Sequence, residues 1–294
     1  MNKSIEVAVC LTCHNRKEKT INCLDSLYKQ KALNNDQYNL HIFLCDDGST
    51  DGTASEVKVR FPDIHIISGD GNLFWAKGMG RAFSEAKNIN PDFYLMINDD
   101  VIFNENMLEL MFSSYSAASK DRKLVSVVGS FTDFETNEWS YGGKLWNKRL
   151  YKDVKTVVYP KAPFAVCDLA NWNCFLIPKK LVEVVGDIET TYSHALADYD
   201  YSIRILRNGG EIVVASNYVG TCSRNNIVGT WQDVKVPLAK RYKLLHNITA
   251  RPVKSYAHYC KVAYRNTWLY WFCLQYVWIA KTSMQNRMVN LFKN

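Results

Sequence analysis

Strand-like and helix-like segments alternate through the first hundred residues, and this alternation limits the fold more than any other feature of the chain. Ile5–Leu11 is apolar and β-branched, and Lys17–Gln30 carries Ile21, Leu24, Leu27 and Tyr28 at helical spacing. Leu40–Cys45 reads as a strand running into Asp46, and Asp51–Arg60 as a helix after a Gly-Ser-Thr turn. Ile64–Ile67, Ala76–Lys87 and Phe93–Ile97 repeat the pattern, with Met79, Ala82, Phe83 and Ala86 on one helix face. Such a chain predicts an α/β fold, a mostly parallel sheet with helices on both faces. Ligands of such sheets bind beyond the carboxyl ends of the strands. Three polar clusters fall at those ends: Thr12–Arg16, Asp46–Asp51 and Asn98–Asp100.

The second half is less regular. Phe131–Trp146, with Gly142-Gly143 and alternating aromatics, predicts an irregular hairpin, and Ala165–Ile177 reads as extended. Pro178–Val185 is a helix opened at proline, Ala195–Leu206 a helix stopped by Gly209-Gly210, and Glu211–Ala215 a strand. The 294 residues are 47% hydrophobic and 22% charged, enough for one large α/β domain with an appendage or for two modest domains. Charge is unevenly spread. Residues 235–294 hold 11 Lys or Arg and no Asp or Glu, which leaves 25 basic against 29 acidic residues in the body. The sequence therefore divides near residue 235, and the basic tail suits an anionic partner.

Several classes are excluded. Cys10 and Cys13 form a C-x-x-C, but no second pair completes a zinc site. The nine scattered cysteines read as reduced core residues and predict a cytoplasmic, reducing compartment. Met1–Ser4 leads straight into a strand too short for the apolar core of a signal peptide. No apolar run reaches bilayer-spanning length. There is no G-x-G-x-x-G after the first strand and no G-x-x-x-x-G-K-[ST], which argues against a dinucleotide-binding dehydrogenase and a P-loop enzyme. No nucleic-acid-binding motif accompanies the basic tail.

The polar clusters carry chemistry. Asp46-Asp47 at a strand end can accept hydrogen bonds from a nucleobase or ribose, with a plain capped turn as the alternative. Asn98-Asp99-Asp100 has the hard oxygen donors that Mg²⁺ or Mn²⁺ takes alongside substrate phosphates, and adjacent carboxylates are relieved by a cation. The alternative there is a solvated turn. In Asp198-Tyr199-Asp200, residues two apart do not share a helix face. One carboxylate can then face a cleft as general base while the other pairs elsewhere. Gly71–Gly78, with Asn72, Trp75, Lys77 and Gly78, combines glycines, an amide and aromatics that could floor a nucleotide site.

In this order and at this spacing, the motifs Thr12-Cys13-His14-Asn15-Arg16, Asp46–Thr53, Gly71–Gly78, Asn98-Asp99-Asp100-Val101 and Ala197–Arg204 resemble those of family 2 glycosyltransferases of the GT-A fold, over roughly residues 5–220. The resemblance implies an inverting enzyme that transfers a sugar from a UDP- or dTDP-linked donor to a glycan or lipid-linked acceptor, in building a surface polysaccharide. It implies a GT-A catalytic domain over 1–235, its nucleotide-sugar half about 1–100 and its acceptor half about 101–235, and a C-terminal helical extension over 236–294. Thr12, Asn15, Arg16, Asp46, Asp47, Asn72, Trp75, Lys77, Gly78, Asn98 and Asp99 would meet the nucleotide sugar. Asp100, with Asp99, would hold Mn²⁺ or Mg²⁺, and Asp198 would be the catalytic base. Trp172, Asn173 and Asp200 would face the acceptor. Three positions depart from the family pattern: Asn98 replaces an aspartate, Ala197 replaces an acidic residue, and Asn217 or Cys222 stands where a histidine is common. A nucleotidyltransferase is the second enzymatic reading, but the Gly-rich, Arg-bearing loop after its first strand is missing. A carbohydrate- or membrane-binding scaffold with a decayed site is the non-enzymatic one.

The tail carries Thr267–Ala280, apolar nearly all round and about 21 Å long as a helix, short of a bilayer's roughly 30 Å core. Lys261, Arg265, Lys281 and Arg287 flank it, and its Trp and Tyr residues favour a membrane interface. A monotopic anchor over 256–294, peripheral at the inner face of the cytoplasmic membrane, is one expectation. Packing on the body or in a homodimer is the other.

Overall fold

Strand β1 (Ile5–Cys13) is the axis of the structure, a computed structural model that describes residues 4–35, 37–149 and 152–291. It is buried from Val7 to Leu11 and pairs in parallel with β2 (Tyr38–Asp46) and β4 (Phe93–Ile97). Between them run α1 (Lys17–Tyr28), α2 (Thr53–Arg60), β3 (His65–Ser68) and α3 (Phe74–Ala86), with β3 parallel to β2. Successive side chains of a strand point to opposite faces. Val7, Val9 and Leu11 join one core cluster with Ile21, Leu24 and Leu27 of α1, while α3 packs on β1 and β2 with Met79, Ala82 and Phe83 buried. All seven predicted elements of this half are present, with ends shifted by a few residues.

The sheet continues with an antiparallel component. After β5 (Ile102–Phe103) and α4 (Met107–Ser119) come β6 (Val125–Thr132), β7 (Trp139–Tyr141), β8 (Gly143–Arg149), β9 (Lys152–Val157), β10 (Ala165–Cys167), β11 (Leu169–Ala170), β12 (Cys174–Pro178), α5 (Lys179–Val185), α6 (Ala197–Arg207) and β13 (Glu211–Thr221). The large sheet runs β10-β13-β6-β12-β4-β1-β2-β3, with β12 antiparallel to both neighbours and β13 parallel to β6. The expected hairpin forms between β6 and β7, and β8 leaves it to make a separate three-stranded sheet with β9 and β11. Helix α4 and this small sheet were not legible in the sequence. Pro178 closes β12 rather than opening α5 from within, and β13 runs six residues beyond Ala215, to Thr221.

Register places the site. Cys13 lies opposite Asp46, and Cys10 opposite Met96, so three polar clusters gather at one end of the sheet. Cys174 opposite Ile97 brings Asn171–Asn173 to that end, and the pairing of Thr221 with Ile102 brings Cys222 beside Asp100. The chain divides into two compact units. One comprises the residues up to Thr190 together with Ala197–Arg224; the other comprises Thr191–Leu196 and the residues from Asn225 on. The second unit holds α7 (Leu238–Leu245), α8 (Val253–Tyr264) and α9 (Trp268–Leu291).

Candidate active site

The loops after β1 and β2 are stitched together. Asn15 accepts the Thr50 N–H at 2.8 Å, its own N–H donates to Ser49 Oγ at 2.9 Å, and Asp51 accepts the Lys17 N–H at 2.9 Å. Asp46 accepts the Ser49 N–H at 2.9 Å. Asp47 is buried, and its carboxylate takes three backbone N–H groups: Gly71 at 2.9 Å, Leu73 at 3.2 Å and Phe74 at 2.8 Å. Its first work is therefore to fix the loop that leads into α3, where Phe74 sits at φ +55°, a backbone region that bulky residues avoid. Gly48, at φ +68°, approaches the Gly71 nitrogen so closely that a Cβ would stand 2.9 Å from it. Thr12 donates to the Cys45 carbonyl at 2.9 Å, and Gly78 packs against it. Both are buried and serve the β1–α3 junction, whereas Asn72 and Lys77 are exposed. Trp75 donates from Nε1 to Asn98 Oδ1 at 2.9 Å, which orients the amide at the neutral first position of the acidic cluster.

Arg16 organises that cluster. Its guanidinium pairs with Asp99 at 3.0 Å and Asp100 at 2.6 Å. The two carboxylates are not equivalent. The Asp99 side chain is 5% exposed and is also within 3.5 Å of the Thr20 hydroxyl, and burial pushes its pKa up to about 7 against the pull of Arg16. The Asp100 side chain is 19% exposed. Of the two residues expected at the cation, Asp99 is the more buried and Asp100 the more open. Cys222 lies with Sγ 3.9 Å from Asp100 Oδ1 and accepts from Asn173 Nδ2 at 3.3 Å. Of the two residues offered for the missing histidine, the cysteine occupies the place beside Asp100. Burial and the Asp100 charge push its thiol up to about 12. Among the described residues no group of three or more His, Cys, Asp or Glu side chains is arranged to hold a metal. The donor set fits a hard cation held by one carboxylate, with substrate phosphates completing its shell.

Asp198 stands in the first turn of α6. Oδ1 accepts the Tyr199 N–H at 2.9 Å, Oδ2 accepts from Asn171 Nδ2 at 3.2 Å, and burial pushes the carboxyl up to about 6. Two of the residues expected at the acceptor are buried. Trp172 is 1% exposed and packs among Trp75, Phe175 and Tyr201, so its ring faces are closed to a sugar. Asp200 is buried and paired with Arg204 at 2.8 Å; Arg204 in turn caps the carbonyls of Val185 and Asp187. Asn173 acts through Cys222, as above. The sequence reading missed Lys144 on β8, whose ammonium donates to the Tyr199 hydroxyl at 2.9 Å and whose charge acts on Asp198. It also missed the grip of Asn171 on Asp198. The three-residue stretch Asn171–Asn173 thus links Asp198 at one end to Asp100, through Cys222, at the other.

Comparison with known proteins bears on the family and the fold. Residues 8–175 match the model of Glycosyl transferase family 2. The fold is similar to that of the mannosyltransferase PcManGT from Pyrobaculum calidifontis, solved in complex with GDP-Man and Mn²⁺, with a TM-score of 0.56 and 14% identity across 97% of this chain and 74% of that one. No curated protein matches the chain.

Proposed function

The chain belongs to glycosyl transferase family 2, and on that premise we propose that it is an inverting transferase that moves a sugar from a nucleoside-diphosphate donor to a hydroxyl of a glycan or lipid-linked acceptor. The observation that carries the reading is Asp198: a carboxylate held by Asn171 and the Tyr199 N–H, with its acidity shifted to about 6. A base poised near neutrality suits removal of a hydroxyl proton. In the step, Asp198 takes the acceptor proton, the acceptor oxygen bonds to the anomeric carbon, and the bond from that carbon to the diphosphate oxygen breaks with inversion. Asp100 would hold Mn²⁺ or Mg²⁺, and such a cation, when bound, would neutralise charge on the departing diphosphate. Arg16 holds Asp100 in place and adds positive charge to the same corner. The wall formed by Asp47 and the Gly71–Phe74 loop supports the nucleotide. UDP- and dTDP-linked sugars are the expected donors, and the GDP-Man bound by the structural neighbour adds a third to the trial.

The test is release of nucleoside diphosphate from a panel of UDP-, dTDP- and GDP-sugars, with and without Mn²⁺. Hydrolysis of one donor, dependent on the cation and lowered at least about a hundredfold by Asp100→Ala, is the expected result. Indifference to both changes would sink the reading.

The second unit supports association with an anionic membrane surface, where a lipid-linked acceptor for a surface polysaccharide would be met at the inner face of the membrane. Its exposed Leu269, Tyr270, Val277, Trp278, Met284 and Met288 lie on α9, in a segment that carries no acidic residue.

A further inference from the structure

Lys144 does not neutralise Asp198 by direct pairing. Its ammonium donates to the Tyr199 hydroxyl at 2.9 Å and lies 5.6 Å from the centroid of Trp139 and 5.7 Å from that of Tyr199. The Arg224 guanidinium is 5.8 Å from the same Trp139 ring, and Lys155 is 5.7 Å from the Tyr199 ring. Three cations therefore stand around two aromatic rings, and the charge of one of them, Lys144, acts on the Asp198 carboxylate. Two carboxylates of the neighbouring segments are occupied with backbone: Asp133 accepts the N–H groups of Glu135, Thr136 and Arg224, and Asp168 accepts that of Trp146. Among the described residues neither Lys144 nor Arg224 forms an ion pair. Burial lowers the pKa of Lys144, Asp198 opposes the shift and Arg224 adds to it, as expected of a like charge close by. Beside the base, Asn171 spends its Nδ2 on Asp198 and leaves Oδ1 buried without a hydrogen-bond partner, an acceptor waiting for an O–H donor.

We propose that this cluster is an acceptor subsite for a sugar bearing a fixed negative charge, a carboxylate or a phosphate, close to the hydroxyl that reacts. Lys144 and Arg224 hold the charge, Asn171 Oδ1 accepts from a hydroxyl of the sugar, and the reacting hydroxyl faces Asp198. The inference rests on the reading of Asp198 as the base and narrows its substrate class.

The experiment is ligand-observed saturation-transfer NMR with the full chain at low salt. The probes are methyl glucuronide, glucose 6-phosphate and the neutral methyl glucoside, and Kd is taken by titration to millimolar concentration. At least one charged probe is expected to bind about tenfold tighter than the neutral one, the worth of a hydrogen bond to a charged group. The arm that shows the preference tells carboxylate from phosphate. Lys144→Met is expected to abolish the preference and Lys144→Arg to keep most of it, with thermal melting as the check on folding. Equal binding of charged and neutral probes, or no binding of any, overturns the proposal. So does a preference that survives both Lys144→Met and Arg224→Met, because the anion is then held elsewhere. Donor hydrolysis measured on the same preparation separates the two readings: hydrolysis without a charge preference sinks the subsite alone, and absence of hydrolysis sinks the transferase reading beneath it.

Discussion

Asp198 sits in surroundings that work against its own charge, and activity and stability should respond to that in opposite directions. Its folded-state pKa is raised to about 6, chiefly by burial. The base is competent only when ionised, so kcat/KM for transfer should be flat above pH 7 and fall through pH 6 on acidification. The stability sign is the reverse. A carboxyl whose folded value is raised favours the folded state at low pH and withdraws that favour as pH rises through about 6. Asp198→Asn removes the titration and keeps one acceptor oxygen for the Tyr199 N–H, while its new amide N–H meets Asn171 only when that residue turns its own Oδ1 toward it. It should lower transfer by about 10²- to 10⁴-fold, erase the acid limb, and raise the melting temperature at pH 7.5. A variant that loses activity and also melts lower would mean that Asp198 is a structural residue. The sequence pointed to Asp198, Asp100 and Arg16 because each lies in a short motif. The motif ranked Asp100 above Asp99 as metal ligand, but it could not show how deeply Asp99 is buried, because burial of adjacent side chains is decided by the strand end they leave. Lys144 was invisible for a plainer reason: it meets Tyr199 across 55 residues of chain, from a strand with no motif of its own.

At the level of elements, the junction of α3 with β1 tests how tightly the nucleotide side is built. A Cβ on Gly78 would stand 2.3 Å from Thr12 Oγ1 and 3.1 Å from Thr12 Cβ. The Thr12 hydroxyl is tied to the Cys45 carbonyl, so it cannot swing away without losing that bond. Gly78→Ala should therefore destabilise the protein by about 1–3 kcal/mol, the usual cost of overpacking, despite the better helix propensity of alanine. Denaturant unfolding reads the loss. Adding Thr12→Ala should cost less than the sum of the two single changes, since it removes the atom that clashes; strict additivity would place the strain elsewhere. The elements that were legible are those with apolar runs or helical periodicity: β1, β2 and β4 are short apolar runs buried on both faces, while α1 and α3 bury one face each. Helix α4 carries four serines in thirteen residues and has no side-chain cap at Asn106, so its period is blurred. The strands β8, β9 and β11 are held by partners distant in sequence, and alternation alone does not reveal whether a segment joins the main sheet or a second one.

At the scale of the whole molecule, the second unit carries the unspent apolar surface. Helix α9 turns Gln275, Ile279 and Ser283 inward, while Leu269, at 56% exposed, and Val277, at 61%, face out with Tyr270, Trp278, Met284 and Met288. That arrangement reverses the pattern of an ordinary surface helix. Among the described residues no helix is long and apolar enough to cross a membrane. The side chain of Arg287 and residues 292–294 lie outside the described residues, but Lys281 is exposed on the same helix. An apolar face rimmed by cations, in a segment without a carboxylate, fits the boundary of an anionic bilayer: exposed Trp and Tyr settle at headgroup depth, and each basic residue adds about 1 kcal/mol near such a surface. The full chain should then float with vesicles containing phosphatidylglycerol, less with vesicles of phosphatidylcholine alone, and less still as salt screens the charges. Leu269→Glu with Val277→Glu puts two carboxylates on the exposed face without touching a buried side chain. It should abolish flotation while leaving the melting temperature within a degree or two, since exposed substitutions cost little. If flotation survives, the face does not meet lipid. If sedimentation instead shows a dimer that the same pair of substitutions splits, the apolar face belongs to a second copy of the chain and the membrane reading is replaced.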